Sequence, residues 1–247
     1  MTFTVVNMIH FSAPQSPVRQ RTRALRGEEI LEAARDLVVA EGVEAVTLQR
    51  VAKAMGYVPA ALYRYYPSKE ALMAALLGRA VAQLGGALQD AVTAFDARVS
   101  VDGVPAGTAA LGRVWLCVET FLAWAQEAPH QATLVALGMA DPRVLVPQQE
   151  LALGVFAQAA SGVGVLVGAL QDAMDQGSLA TRQPAPVAAL LLLGAVQGVW
   201  SMQKMMRLAP GALDVGQLVR AQAAVVLMGL GATQETLERA VQLGGRP

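Results

Sequence analysis

Apolar residues recur at three- and four-residue spacing through almost the whole chain, and no stretch alternates apolar and polar positions as a half-buried strand would. The pattern predicts an all-α protein. Its best-punctuated stretch is Thr47 to Leu72, TLQRVAKAMGYVPAALYRYYPSKEAL. Thr47 can cap a helix to about Ala54 that buries Leu48, Val51, Ala52 and Met55 on one face. Gly56 supplies the left-handed residue of a tight turn, and Pro59 is suited to the first position of the next helix. In that short helix Leu62 points inward, with Tyr63 and Arg64 at its edge. Pro67 ends it, and Ser68 caps a fourth helix that runs to about Ala97 with Lys69 and Glu70 in its first turn. Upstream, Ile30, Ala34, Leu37, Val38 and the Glu41-Gly42 stop describe an amphipathic helix able to cover the pair. Two helices joined by a glycine turn, the second short, basic and aromatic, have the layout of a DNA-reading helix-turn-helix.

Beyond the fourth helix, the loop 100–107 is marked by Asp102-Gly103 and Pro105-Ala106-Gly107. Further helices are expected at about 108–127, 130–139, 148–176, 186–208, 215–230 and 233–243, separated by prolines and glycines. Leu151 to Gln171 and Gln183 to Gln203 are each 21 residues without a charge, long enough to span a bilayer. Their internal glycines, glutamines and prolines and the lack of flanking basic clusters favour helices buried between other helices, with no membrane partner.

The residues from Arg26 to Leu77 resemble the TetR family of transcriptional regulators. The family's Ile-Leu-x-Ala-Ala helix appears as Ile30-Leu31-Glu32-Ala33-Ala34, followed by Gly42, Thr47 and Gly56. Its Leu-Tyr-x-Tyr-Phe-x-Ser-Lys-Glu-x-Leu run appears as Leu62-Tyr63-Arg64-Tyr65-Tyr66-Pro67-Ser68-Lys69-Glu70-Ala71-Leu72. The resemblance implies that Tyr63 and Lys69 contact backbone phosphates. It also implies that Thr47, Leu48, Gln49, Arg50, Val58, Pro59, Ala60, Arg64 and Tyr65 face the duplex. The chemistry agrees at several positions: Tyr63 offers a hydroxyl donor on a rigid ring, Lys69 an ammonium at a helix N-terminus, and Arg64 paired donors for a guanine edge or a phosphate. Tyr66 stands where the family usually carries a core phenylalanine, so it is expected to pack. Val58 departs from the family's serine or threonine, leaving the reading helix without a capping hydroxyl and favouring apolar contact with thymine methyls.

Composition refines this picture. Net charge is zero, but residues 1–80 carry 10 Lys/Arg against 7 Asp/Glu and residues 81–247 carry 9 against 12, so the basic end holds the reading helix. Residues 1–18 read as an uncharged, disordered leader without the features of a signal peptide. Arg19, Arg21, Arg23 and Arg26 follow as an arm that can lie along the backbone or enter a minor groove. The domains expected are thus the leader, a DNA-binding domain at 19–80 and a larger helical ligand-binding and dimerisation domain at 81–247. Cys117 is the one cysteine, a small core residue suited to a reducing cytoplasm. His10 and His130 suggest no metal site, no nucleophile–base arrangement is visible, and no enzyme activity or cofactor is expected.

The segment from Gly177 to Trp200 resembles, more loosely, the last helices of the family. That likeness implies a four-helix homodimer interface built from helices 186–208 and 215–230, with Gly194, Ala195 and Gly198 allowing close approach. The family's effector pocket lies within the C-terminal helices. The large or soft residues there are Trp115, Glu119, Phe121, Trp124, Met139, Phe156, Met174, Trp200 and Met205, suited to an apolar cavity; Trp115, Glu119, Trp124, Phe156 and Trp200 are the candidate ligand contacts. Glu119, an acid in an apolar run, can pair with a cationic or donor-bearing ligand or face solvent. The expected function is a homodimeric DNA-binding regulator, a repressor of a palindromic double-stranded operator released by a largely apolar small molecule. The alternative is a DNA-binding dimer whose C-terminal domain serves dimerisation or a partner, without a ligand.

Overall fold

The computed structural model describes residues 17–140, 148–202 and 214–245. Ten α-helices occupy the described residues: α1 Pro17–Glu41, α2 Leu48–Ala54, α3 Pro59–Leu62, α4 Lys69–Asp102, α5 Ala106–Glu127, α6 Pro129–Ala140, α7 Gln149–Asp175, α8 Ala185–Ser201, α9 Val215–Gly229 and α10 Gln234–Gly244, with a 3₁₀ turn at Val43–Ala45. Among the described residues there is no strand.

The helix starts follow local chemistry. The side chains of Thr47, Ser68, Asp214 and Thr233 accept hydrogen bonds from the backbone N–H three residues on, which opens α2, α4, α9 and α10. Val58 caps α3 without a side-chain hydrogen bond, and Pro59 follows at the first helical position. Gly56, at φ 69°, makes the turn between α2 and α3. Ile30, Ala34, Val38, Val46, Val51, Leu62 and Leu72 form the buried centre of the amino-terminal helices. Arg79 of α4 reaches back to Glu28 and Glu32 of α1, tying α4 to that unit.

Two boundaries move. α4 continues to Asp102, past Ala97, because Phe95 and Val99 are still buried against α5; Gly103, at φ 64°, then stops it and leaves only a short link to α5. Helix α1 begins at Pro17, so most of the expected leader and the end of the expected helix 186–208 lie outside the described residues. The arginine arm, Arg19 to Arg26, lies within α1.

At 34 residues, α4 is about 50 Å long at 1.5 Å per residue, and it runs from the amino-terminal helices into the larger bundle. There it crosses α7 with almost no space between backbones. A Cβ built on Gly162 would lie 2.8 Å from the Gly85 Cα. Arg113 of α5 joins Asp96 of α4 and Asp172 of α7, and Arg220 of α9 grips both carboxylate oxygens of Glu119 of α5 at 2.7 Å. Of the two long uncharged runs, one becomes α7, which by length and composition alone could cross a membrane; α4 also meets that test. The other becomes α8, which at 17 residues is shorter than the roughly 20 a span requires.

Candidate functional site

Gln49, Arg50, Val58, Pro59, Ala60, Tyr63 and Arg64 are exposed around the α2–α3 turn. Tyr65 and Lys69 are partly covered, and Thr47 is half-buried with its oxygen accepting from the Arg50 N–H. Leu48 is the exception. It is 3% exposed, packed with Val51 and Ala52 in the core, so it cannot meet a duplex directly. The same helical stripe that places Val51 inside requires this of Leu48. Tyr66 is half-buried and donates its hydroxyl to the Gly27 carbonyl at 3.2 Å; burial pushes its pKa up to about 12.

Helix α1 adds groups beside α3. Arg23 donates to the Arg64 carbonyl at 3.1 Å, and Arg26 donates to the Tyr57 hydroxyl at 2.9 Å while pairing with Glu29. Tyr57, 38% exposed and directly after the turn glycine, was not singled out by the sequence pattern; its signal was its place beside Gly56. Arg50 is paired with Glu41, whose carboxyl is held below the usual range first by that hydrogen bond. The Glu70 carboxyl is likewise held low, chiefly by a backbone N–H at the start of α4. The result is a cationic and hydroxylic surface over a short helix with an apolar tip at Val58-Pro59-Ala60. Such a surface suits phosphates at its edges and base edges at its centre.

The larger bundle holds an open-mouthed cavity of about 360 Å³ between α4, α5, α6, α7 and α8. Leu77, Val81, Leu84 and Leu88 of α4 form one wall, Val118 and Phe121 of α5 another, and Val155, Phe156, Val163 and Leu166 of α7 a third. Phe156 and Leu190 are each 65% exposed, so they stand at its mouth. Cys117 also lines it, its thiol pushed up to about 12 by burial. Among the described residues that line it none is charged, and Gln197 of α8 is the one hydrogen-bonding side chain besides the Cys117 thiol.

Residues 30–76 match the family described as bacterial regulatory proteins, tetR family. The amino-terminal domain is a tetR-family domain. It is a helix-turn-helix DNA-binding domain of the kind that serves transcriptional regulation. No curated protein matches the chain. Among solved structures, the tetR-family regulator PfmR from Thermus thermophilus is 24% identical, covering 81% of this chain and 98% of its own, with a TM-score of 0.54. SmeT, the repressor of the Stenotrophomonas maltophilia multidrug efflux pump SmeDEF, is 19% identical over 85% of this chain and 92% of its own, TM-score 0.56. RolR in complex with resorcinol is 18% identical over 93% of this chain and 97% of its own, TM-score 0.54. These likenesses carry the fold of the helical bundle that follows the tetR-family domain.

Within that bundle the expected ligand contacts divide. Phe156 lines the cavity, as do Phe121 and Met139. Trp115, Glu119, Trp124 and Trp200 do not. Trp200 meets the Phe121 ring edge-on at 5.8 Å and Trp124 lies 6.4 Å from it, so both back the wall instead of forming it. Trp115 is buried in the core, and Glu119 is held by Arg220. Met174 is not on the wall either, and Met205 lies outside the described residues. Most wall residues that sequence reading missed are aliphatic side chains, such as those of α4 and α7, indistinguishable by type from any core residue.

Proposed function

We propose that this protein is a homodimeric transcriptional repressor that holds a palindromic operator and lets go when a small, largely apolar molecule enters the α4–α8 cavity. The observation that carries the reading is α4 itself. It begins at Lys69 beside the reading helix and continues unbroken into the cavity wall through Leu77, Val81, Leu84 and Leu88. A ligand that moves this wall therefore moves the anchor of the DNA-reading helices, which is the differential contact that release requires. The cavity weighs against a bundle that only dimerises, since its volume lies in the range of small-molecule sites. RolR, which holds resorcinol, and SmeT, a named repressor, support the same reading by likeness of fold.

The homodimer is proposed on α8 and α9. Leu190 and Leu191 of α8 and Val225 and Met228 of α9 are exposed, and a Cβ on Gly194 or Gly198 would meet nothing within 4 Å. A helix of a second copy can approach such a face closely. DNA in the cytoplasm is then the partner of the opposite end. Selection from random duplex DNA tests this: the enriched sites should be inverted repeats with half-sites about 34–36 Å apart, or a multiple of that, centre to centre. Enrichment of no sequence, or of a single asymmetric half-site by a monomer, would refute the reading.

A further inference from the structure

Gln197 is 8% exposed and lines the cavity; its side-chain Nε2 is shielded from solvent and has no hydrogen-bond partner, so a turn of the terminal amide presents the N–H to the cavity. A buried donor left unpaired is unfavourable, and native proteins keep few of them. A water is a poor remedy here, because a held water needs two to four polar partners and the described residues of this wall offer one polar side chain that bonds well. Leucine or methionine would fill the same place on α8 without that cost. Resting on the reading of the cavity as an effector site, we propose that Gln197 is its specificity residue: the effector is a neutral, mostly aliphatic or aromatic molecule carrying a hydrogen-bond acceptor such as a carbonyl, which receives the Gln197 Nε2–H.

The described wall disfavours the charged alternatives. Among the described residues it contains no Arg or Lys to meet a carboxylate, so an anion would be stripped of water without a counter-charge there. Nor do the described residues of the wall include an acid to meet an ammonium. Glu119, the nearest acid in sequence on α5, gives both its oxygens to Arg220 at 2.7 Å and does not line the cavity.

The test uses three probes of one skeleton and about twelve non-hydrogen atoms each: 2-undecanone, 2-methylundecane and decanoate. Each is titrated calorimetrically into the purified full-length protein, into Gln197→Leu and into Gln197→Met, with the fold of each variant checked by its helical circular dichroism. Wild type should bind the ketone about 3- to 10-fold more tightly than the hydrocarbon, the size of one net hydrogen bond, and decanoate more weakly than either. Both variants should bind the hydrocarbon at least as well as wild type and lose the preference for the ketone. A ketone preference that survives in a folded variant, a wild type that does not discriminate ketone from hydrocarbon, or decanoate binding as tightly as the ketone would each overturn the role of Gln197 while leaving the cavity reading intact. Binding of none of the three to wild type would overturn both.

Discussion

Tyr63 ends α3 with 45% of its surface exposed, and Lys69 opens α4 in its first turn, beside the reading helix. Groups so placed hold phosphates, which position a protein without reading sequence. Lys69→Ala and Tyr63→Phe are therefore expected to weaken binding to all duplexes about equally, and Lys69→Ala to lower the salt slope by about 1. An affinity series over salt on two operator variants checks this; a change of sequence preference at unchanged slope would contradict it. Val58 is a 69% exposed N-cap with no side-chain hydrogen bond. Val58→Ser should raise stability by about 0.5–2 kcal/mol in denaturant titration, since an exposed valine gives up little packing and the hydroxyl gains an orphan N–H. Tyr66 gives a pH test. Its folded pKa of about 12 lies above the ordinary value, so its contribution is whole below pH ~10 and is lost as pH rises through ~12. Tyr66→Phe should cost about 0.5–1.5 kcal/mol near pH 8 for the lost bond to Gly27, and the gap to wild type should narrow above pH ~11. Much at this scale was legible, because caps and turn residues act on their neighbours: Thr47, Gly56, Pro59 and Ser68 announce their roles locally. Leu48 shows the limit of a family motif, whose run of positions gave way to the helical stripe.

At the scale of elements, the crossing of α4 and α7 rests on two glycines in backbone contact. A methyl on Gly162 would come within 2.8 Å of the Gly85 Cα, and since that atom is backbone the helices themselves must part. Gly162→Ala should destabilise the fold by about 1–3 kcal/mol, and because Gly85 and Gly162 both line the cavity it should also alter ligand binding. Denaturant titration read beside calorimetry with 2-undecanone measures the two effects together; an alanine variant as stable as wild type would show that α7 is free to shift. Helix positions and most ends were readable from prolines, glycines and periodicity. The inward faces were not. Which side chains of α4 and α7 meet the void depends on how the helices cross, and nothing in Gly85 or Gly162 alone declares that they face one another. Aromatic size was accordingly a poor guide: Phe156 reaches the cavity, whereas Trp124 and Trp200 pack behind Phe121. Gln197, one amide in an apolar run, carries no sequence signal that separates it from a solvated position.

For the molecule as a whole, the two proposed ligands meet one helix, DNA at its start and the effector along its first half. Lys69 begins α4 among the groups proposed to face DNA, and Leu77 to Leu88 of the same helix wall the cavity. A twofold dimer seated on α8 and α9 fixes the distance between its two reading helices, and operator half-sites fix the distance they need. A cavity ligand releases DNA only by favouring a dimer whose spacing misfits. Reciprocity then requires that operator weaken ligand binding by the factor by which ligand weakens operator binding. The division between a basic amino-terminal end and a mildly acidic helical remainder was visible in the chain, whereas the enclosure that links them exists only once five helices are packed. The direct measurement is a pair of titrations with the full-length protein: a cavity probe such as 2-undecanone in the absence and presence of saturating selected operator, and operator in the absence and presence of saturating probe. Equal weakening in the two directions, about 5- to 150-fold for couplings of ordinary size, is the expected result; a probe affinity unchanged by operator would contradict the release mechanism.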